Sequence, residues 1–219
     1  MKMNENTGIS ALHVCKSFGK ETVLRDVSLT VARGQIAGLV GNNGSGKTVF
    51  MKCICGFLTP DSGEITVGGR RIGKDCDFPE RLGLIIETPG FLPNMSGYRN
   101  LRTLAALRGC IGRGEILETL RRVGLYEARR KPVAKYSLGM RQRLGIAQAI
   151  MEDPDVLILD EPFNGLDAAA VAQMRALLLE LKAQGKAILL ASHNAEDIRT
   201  LCDYVHEMQV QTAGNGEET

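Results

Sequence analysis

Residues 35–48 read Gln-Ile-Ala-Gly-Leu-Val-Gly-Asn-Asn-Gly-Ser-Gly-Lys-Thr. The apolar run at 35–40 predicts a short buried strand, and the glycines that follow let successive backbone N–H groups turn toward one anion at the start of a helix. Phosphate is the natural occupant of such a turn. The stretch therefore predicts an α/β fold built around a phosphate-binding strand-loop-helix unit.

The eight residues after this strand match the pattern G-x-x-x-x-G-K-[ST], the Walker A loop. In that pattern Lys47 reaches the β- and γ-phosphates of a nucleotide, and the hydroxyl of Thr48 ligates Mg²⁺. An ordinary glycine-rich turn would need neither the Lys-Thr pair nor the strand before it. The loop predicts a nucleotide site made of Gly41, Asn42, Asn43, Gly44, Ser45, Gly46, Lys47 and Thr48.

The composition fits one large globular domain. The chain has 219 residues, of which 44% are hydrophobic, and its 27 Lys and Arg against 25 Asp and Glu give a formal charge of only +2. Without a long basic tract, nucleic acid is a poor partner. Neither a signal peptide nor a run of 18 apolar residues occurs, so we expect no insertion into a membrane. The scattered cysteines indicate reduced thiols in the cytoplasm.

One cysteine pair forms the pattern C-x-C at Cys53 and Cys55, on the helix predicted after the phosphate loop. These two positions point to different faces of a helix, and no His or second Cys pair lies nearby in sequence. Packing is the preferred interpretation over metal binding.

Polar groups follow other apolar runs. The run Val156–Leu159 delivers Asp160 and Glu161, and the run Ala187–Ala191, interpreted as the last parallel strand, ends just before His193. Carboxyl ends of strands in a doubly wound sheet face one crevice, so these groups are expected to meet the phosphate loop. Two adjacent carboxylates are costly there unless a cation is present, and Mg²⁺ would supply it. A structural role for the histidine is the competing interpretation.

The remaining chain divides into a β-rich and a helical part. Residues 9–31 predict an antiparallel meander of short strands, and residues 64–72 a hairpin around two glycines. Phe18 lies in the first turn, where it either stacks on a purine or covers the sheet core. Residues 98–107 and 116–123 predict helices interrupted by glycines. Residues 211–219 are expected to be disordered.

With these elements in order, nearly the whole sequence resembles the nucleotide-binding subunit of an ABC transporter. The resemblance implies an α/β P-loop NTPase fold: an antiparallel β subdomain, a RecA-like parallel sheet core and a small α-helical subdomain at about 88–140, all in one domain, 1–219. It rests on Phe18 as A-loop aromatic, Gly41–Thr48 as Walker A, Glu87 at the Q-loop position, Ser137-Leu-Gly-Met-Arg as signature, Val156–Glu161 as Walker B, Asn164-Gly-Leu-Asp167 as D-loop and His193 as switch histidine.

The resemblance also implies roles for single residues. Phe18 would stack the adenine of ATP, and Asp160, together with Thr48 and the carboxylate at Glu87, would hold Mg²⁺. Glu161 would polarise the attacking water while His193 contacts the γ-phosphate. The signature residues would meet ATP bound to a second, head-to-tail subunit, since the signature helix directs its N-terminus away from its own site. The residues assigned to that contact are Ser137 and Gly139, and Met140 and Asp167 are expected among the nucleotide-binding residues. Capping of a helix by Ser137 is the simpler alternative.

Departures from the family pattern are informative. Glu87 replaces the usual glutamine, Leu138 the first signature glycine, and Met140 the glutamine that follows it. The run Ile-Ile-Glu-Thr-Pro-Gly-Phe-Leu-Pro at 85–93 looks most like bacitracin-type and lantibiotic-immunity exporters. We therefore expect an antibiotic-resistance ATPase that powers a separate transmembrane permease on the inner face of the cell membrane. The alternatives are a soluble ABC ATPase without a transport role and a regulatory subunit that hardly hydrolyses ATP.

Overall fold

Two β-sheets form the frame of the protein. The structure is a computed structural model that describes residues 6–87 and 90–208. The first sheet is antiparallel, with strand order β2-β1-β4-β5. Its members are β1 (Thr7–Phe18), β2 (Glu21–Ala32), β4 (Ser62–Val67) and β5 (Arg70–Arg71).

For residues 9–31, the prediction of an antiparallel meander was wrong in the number and length of the strands. That segment is a single pair of 12-residue strands, β1 and β2. The pair continues through the apparent breaks because its register shifts at several bulges. At two neighbouring shifts His13 and Asp26 adopt positive φ angles of 53° and 54°, and their side chains hydrogen-bond to each other at 2.7 Å. The hairpin predicted at 64–72 is confirmed by β4 and β5.

The second sheet is parallel and has the order β6-β7-β8-β3-β9. The prediction that Ala187–Ala191 is the last parallel strand was wrong. A further strand, Tyr204–Glu207, follows it in sequence and pairs in parallel with Ile36–Val40. Exposed and half-buried residues alternate along this edge strand, so it lacks the continuous apolar run that is typical of a parallel strand. The five strands are β3 (Ile36–Val40), β6 (Leu82–Ile85), β7 (Val156–Asp160), β8 (Ala187–Ala191) and β9 (Tyr204–Glu207).

In the described residues, six α-helices connect and cover the strands. Gly109, at φ 67°, ends α2, and α3 begins directly after Gly112, so the predicted interruption of the helical insertion is confirmed. A short 3₁₀ helix at Val133–Lys135 leads toward α4. The helices are α1 (Lys47–Ile54), α2 (Gly97–Arg108), α3 (Arg113–Arg122), α4 (Leu138–Ile150), α5 (Ala168–Ala183) and α6 (Ala195–Leu201).

The parallel sheet separates two hydrophobic cores. On β7, Leu157 and Leu159 pack into the core shared with helices α2 to α5, whereas Val156 and Ile158 pack into the core shared with α1 and the antiparallel sheet. Alternate side chains of one strand thus serve both layers, as expected for a sheet covered on both faces. This buried frame fixes the strand ends that carry the polar residues.

The described cysteines and helices bear on two further expectations. Cys53 and Cys55 are buried in the core beside α1, and burial raises the pKa of the first thiol to about 11 and of the second to about 12. Both are therefore protonated packing residues, as predicted. Among residues 6–87 and 90–208, no helix has both the length and the apolar character needed to cross a bilayer. The predicted disordered tail, 211–219, lies outside the described residues.

Candidate nucleotide-binding site

The carboxyl ends of β3, β7 and β8 meet at one cleft with a volume of about 520 Å³. Parallel strands place their carboxyl ends along the same sheet edge, so three segments distant in sequence converge there. The sequence predicted this convergence. The lining residues are Val23, Asn43, Gly44, Ser45, Gly46, Lys47, Thr48, Val49, Asp160, Glu161 and His193.

The phosphate loop is held in a conformation that requires glycine. Gly46 is the N-cap of α1 with φ 90°, and no side chain caps the helix. At Gly41, φ is 151°, and a Cβ would lie 2.4 Å from the carbonyl oxygen of Met208. The first turn of α1 contains no acidic residue, so its free N–H groups and positive helix end remain available to an anion.

Lys47 reaches back over the loop instead of pointing into solvent. Its Nζ donates to the carbonyl oxygens of Gly41 at 2.6 Å and Asn42 at 3.1 Å, and the residue is 8% exposed. No carboxylate pairs with it in the part of the chain that the structure describes, and a nearly buried ammonium group in that situation favours an anionic ligand. In the same loop the hydroxyl of Ser45 is buried with no hydrogen-bond partner among the described residues. The ammonium group of Lys47 and the unpartnered hydroxyl of Ser45 fit a bound phosphate.

A candidate magnesium site lies between α1 and β7. The hydroxyl of Thr48 donates to Oδ2 of Asp160 at 3.0 Å, which brings the two predicted ligands into direct contact. Hydroxyl and carboxylate oxygens are hard ligands of the kind that Mg²⁺ uses together with phosphate oxygens and water. The donor set of this chain therefore fits Mg²⁺ beside a nucleotide.

Glu161 lies next to this pair with an unusual backbone. Its φ is 48°, and its N–H donates to the carbonyl oxygen of Ala191 at 3.0 Å. Oε1 is buried without a hydrogen-bond partner among the described residues, and Nε2 of His193 lies 3.5 Å from it. Burial and the neighbouring Asp160 raise the pKa of Glu161, while His193 and Lys47 lower it, with burial as the largest effect. A carboxylate in this position is suited to accept a proton.

The sequence did not predict the residues that support Glu161 and the loop of His193. Nε2 of Gln142, on α4, donates to the carbonyl oxygen of Glu161 at 3.1 Å. Behind the histidine loop, the hydroxyl of Ser192 donates to the buried Asp197 at 2.9 Å, and Arg175 binds the same carboxylate through Nε at 2.9 Å. These contacts join segments far apart in sequence, and no local pattern distinguishes them.

Glu87 does not line the cleft with the other predicted metal ligands. Its Oε1 bonds to Nζ of Lys52 at 2.6 Å, and its backbone adopts a positive φ of 62°. Lys52 lies one helical turn beyond Thr48 on α1, so the acidic side chain stands next to the cleft with its charge already offset. The sequence could not anticipate this partner, because the pairing spans 35 residues.

Phe18 lies at the end of β1 and is 47% exposed. It does not line the cleft and belongs to neither buried core, so it does not cover the sheet core as the alternative interpretation suggested. Nζ of Lys16 lies 5.6 Å from the ring centroid. Its stacking on adenine stays a prediction.

The signature segment caps a helix and packs on the D-loop. Ser137 is the N-cap of α4 and accepts a hydrogen bond from the N–H of Met140 at 3.2 Å, so capping is confirmed. A Cβ on Gly139 would lie 2.7 Å from the carbonyl oxygen of Gly165. Asp167 in turn caps α5 by accepting from the N–H of Ala170 at 2.8 Å. The cleft of the chain itself is not lined by the signature residues Ser137, Gly139 and Met140 or by Asp167 of the D-loop.

The profile of a protein family described as ABC transporter matches residues 24–164. The chain belongs to the ABC transporter family. Members bind ATP with Mg²⁺ and work as dimers with membrane permeases. This chain is accordingly an ATP-binding, ATP-hydrolysing transporter subunit with the P-loop ABC fold, and the family resemblance inferred from its motifs is confirmed.

Individual relatives agree with this assignment. An uncharacterized ABC transporter ATP-binding protein of Bacillus subtilis, YybJ, is 44% identical, covering 91% of this chain and 92% of its own. The bacitracin transport ATP-binding protein BcrA of Enterococcus faecalis is 40% identical over 91% of this chain, which spans 66% of BcrA. The lantibiotic transport ATP-binding protein SrtF of Streptococcus pyogenes is 37% identical, covering 87% and 82% of the two chains.

Solved structures show the same architecture. A structure titled as the ATP-binding subunit of an ABC transporter superimposes with a TM-score of 0.84 at 29% identity, covering 94% of this chain and 89% of the other. The dimeric bacterial ABC transporter cassette MJ0796 gives a TM-score of 0.83 at 22% identity, covering 92% and 94%. The second likeness bears on the fold alone.

Proposed function

We propose that this chain powers the export of a peptide antibiotic or lantibiotic through a separate membrane permease, by hydrolysing ATP at sites shared between two head-to-tail copies or partners. The observation that carries the hydrolytic part is the cluster of Thr48, Asp160, Glu161 and His193 at one sheet edge. The names of BcrA and SrtF support the choice of substrate class.

In this proposal the phosphate loop binds the triphosphate. The N–H groups of residues 41–48 and the ammonium of Lys47 hold the phosphate oxygens, and the exposed ring of Phe18 stacks on adenine. Thr48 and Asp160 hold Mg²⁺, which when bound offsets charge on the phosphate oxygens. Glu87 acts beside this site, with its carboxylate paired to Lys52.

The chemical step depends on Glu161 and His193. The carboxylate of Glu161 accepts a proton from the attacking water as the new oxygen–phosphorus bond forms and the bond from the γ-phosphorus to the ADP oxygen breaks. His193 donates a hydrogen bond to the γ-phosphoryl group. Its position beside Oε1 of Glu161, at 3.5 Å, places both side chains on the same side of the cleft.

The second copy completes the site. Ser137, Gly139 and Met140 begin α4 and do not line their own cleft, so the positive end of this helix is available to the γ-phosphate on a partner. In this proposal Asp167, in the D-loop, takes part in the same contact with the second copy. We infer that the chain dimerises when ATP is bound, with the helical subdomain at about 88–140 and the loop after Glu87 facing the permease at the cytoplasmic side of the membrane.

The decisive experiment is Glu161→Gln. We expect ATP binding to persist and steady-state hydrolysis to fall by about 100-fold or more, because an amide cannot accept the proton. The matched control is Glu180→Gln, a change of the same kind at an exposed residue paired with Arg122. Near-normal hydrolysis by the first variant, with the permease present, would overturn the assignment of Glu161.

Dimerisation and transport are tested separately. In the Glu161→Gln background, light scattering should report a dimer with ATP and Mg²⁺ and a monomer with ADP, and a monomer under both conditions contradicts the shared site. For the substrate, the chain and its co-expressed permease are placed in a susceptible host, and inhibitory concentrations of bacitracin and of a lantibiotic are measured. Unchanged sensitivity to both contradicts the proposed substrate class.

A further inference from the structure

The backbone of Glu161 lies in a conformation that its own sequence does not favour. Glu161 is followed by Pro162, and the residue before a proline prefers an extended backbone with φ near about −120°. In the structure φ of Glu161 is 48°, in the left-handed region that residues other than glycine adopt infrequently and at a cost in free energy. Such a conformation persists only where surrounding contacts determine it. Contacts with other parts of the fold therefore hold this residue in place.

Three hydrogen bonds fix the N–H and the carbonyl of Glu161. Its N–H donates to the carbonyl oxygen of Ala191, at the end of β8, at 3.0 Å. Its carbonyl oxygen accepts from the N–H of Asn164 at 3.3 Å and from Nε2 of Gln142 at 3.1 Å. The first two bonds join backbone groups, so a change of side chain at Ala191 or Asn164 leaves the bonding groups in place. The third bond is made by the side chain of Gln142, and a single substitution removes it.

Helix α4 delivers the amide of Gln142 to this carbonyl. Gln142 is only 9% exposed, and Leu144 and Ile146 on the same helix are buried in the core shared with α2 to α5. The helix therefore presents Gln142 from a packed, fixed position. A buried amide donor without a partner costs free energy, so the bond to Glu161 is favoured over a side chain that points elsewhere. Gln142 thus links the backbone of the proposed proton acceptor to a packed helix.

The left-handed backbone also determines where the carboxylate lies. Oε1 of Glu161 is buried without a hydrogen-bond partner among the described residues, 3.5 Å from Nε2 of His193. A return of φ to the extended region would rotate the side chain about the N–Cα bond and remove the carboxylate from this position. A general base must lie within hydrogen-bond reach of the proton that it accepts, and a misplacement of about 1 Å lowers a rate by as much as roughly 100-fold. Hydrolysis therefore depends on the backbone conformation of Glu161.

We propose that Gln142 is the positioning residue of the proton acceptor: its amide holds the carbonyl of Glu161 and thereby keeps the carboxylate directed into the cleft. This rests on the proposed function, in which Glu161 accepts a proton from the attacking water. Gln142 is not among the described residues that line the cleft, so it acts on the reaction through Glu161. Removal of the amide should therefore lower the rate of the chemical step without changing the affinity for ATP.

The first test is Gln142→Met, which keeps an unbranched side chain of similar length and removes the amide. We expect kcat for ATP hydrolysis by the full chain to fall by roughly 10- to 100-fold, with KM changed by less than about twofold. The matched control is Gln173→Met, which removes a bond of the same kind, from Nε2 to the carbonyl oxygen of Arg122 at 3.1 Å, on the exposed surface. The control should keep the kcat of the parent. Equal kcat values for the two variants overturn the proposal.

A double variant separates positioning from general damage to α4. Because Gln142 acts through the carboxylate of Glu161 in this proposal, adding Gln142→Met to Glu161→Gln should reduce the residual hydrolysis by less than about twofold. Misfolding of the helix, or weaker dimerisation, would instead lower hydrolysis by the same factor in both backgrounds. Single-turnover hydrolysis, with the chain in excess over ATP, measures the low residual rates. Equal losses in the parent and in Glu161→Gln overturn the proposal.

A second substitution keeps the test decisive if Gln142→Met does not fold, and thermal unfolding establishes which variants are folded. Gln142→Glu preserves the shape of the side chain and removes the donor, so its kcat should also fall by roughly tenfold or more. A folded Gln142→Glu variant with the kcat of the parent overturns the proposal. Glu161→Gln is measured alone in parallel: near-normal hydrolysis refutes the proposed function of Glu161, whereas an inactive Glu161→Gln together with a fully active Gln142→Met refutes only the positioning role.

Discussion

The buried ion pair behind the histidine loop offers a sharp test of how the candidate site is held. Asp197 is 2% exposed; one of its oxygens accepts from Arg175 and the other from the hydroxyl of Ser192. Ser192 in turn accepts from the N–H of Asn194 at 3.1 Å, so the pair supports the turn that presents His193. The perturbation is Arg175→Met, which keeps the apolar stem and removes the charge.

The expected magnitude follows from the burial of the pair. The side chains of Arg175 and Asp197 are only 15% and 3% exposed, so removal of the guanidinium leaves a buried carboxylate without its counter-charge. Such a loss destabilises a protein by about 3–5 kcal/mol. In a chain of this size, each 1 kcal/mol lowers Tm by about 2–4 °C, which gives a decrease of roughly 10 °C. The matched control, Arg122→Met, breaks a pair whose glutamate, Glu180, is 55% exposed, and should cost about 0–1 kcal/mol.

The assay combines calorimetry with steady-state hydrolysis. Because the network holds the histidine loop and not the phosphate loop, Arg175→Met should lower kcat for ATP hydrolysis with little change in nucleotide affinity. The double variant Arg175→Met with Asp197→Asn removes the stranded charge and keeps an acceptor for Ser192, so it should recover most of the lost stability. Equal Tm values for Arg175→Met and Arg122→Met would refute the reasoning, as would a loss confined to ATP affinity.

Three further outcomes follow from the described contacts. Glu87→Gln removes the charge paired with Lys52, which should alter the Mg²⁺ dependence of hydrolysis more than ATP affinity and change stability by less than about 1 kcal/mol; an unchanged magnesium titration contradicts this. Ser137→Ala and Ser96→Ala each remove an N-cap worth about 1 kcal/mol, but only the first should also lower hydrolysis by the dimer, as thermal unfolding and ATPase assays will show. The raised pKa of Glu161 means that the folded chain binds more protons than the unfolded chain above the ordinary value of 4.5, so its stability decreases as pH rises through that window. Glu161→Gln lacks this decrease, so its stability relative to the parent should increase as pH rises above 4.5, measured by urea unfolding.

Much of the nucleotide site could be predicted from the sequence because each part has a local signature. The glycines, Lys47 and Thr48 form a contiguous loop, and the acids Asp160 and Glu161 follow a continuous apolar strand. Parallel strands then bring those ends together by geometry alone. The same logic placed His193 in the cleft, where the structure has it.

The parts that could not be predicted depend on distant pairings. Lys52 meets Glu87 across 35 residues, and Arg175 meets Asp197 across 22, with nothing in either segment to mark its partner. β9 was missed as a parallel strand because an edge strand with alternating exposure gives no continuous apolar run. The length of β1 and β2 was missed because bulges interrupt their alternation without ending their pairing.

The close approach of Gly139 to Gly165 limits how the chain can respond to a neighbour. A Cβ at position 139 would lie 2.7 Å from a backbone oxygen, and one at position 165 would lie 2.5 Å from the side chain of Leu138. A side chain at either position would clash, so the two segments lie in close contact and a displacement of one acts on the other. Gln142 on the same helix donates to the backbone carbonyl of Glu161, so a displacement of α4 also acts directly on Glu161 through this one hydrogen bond.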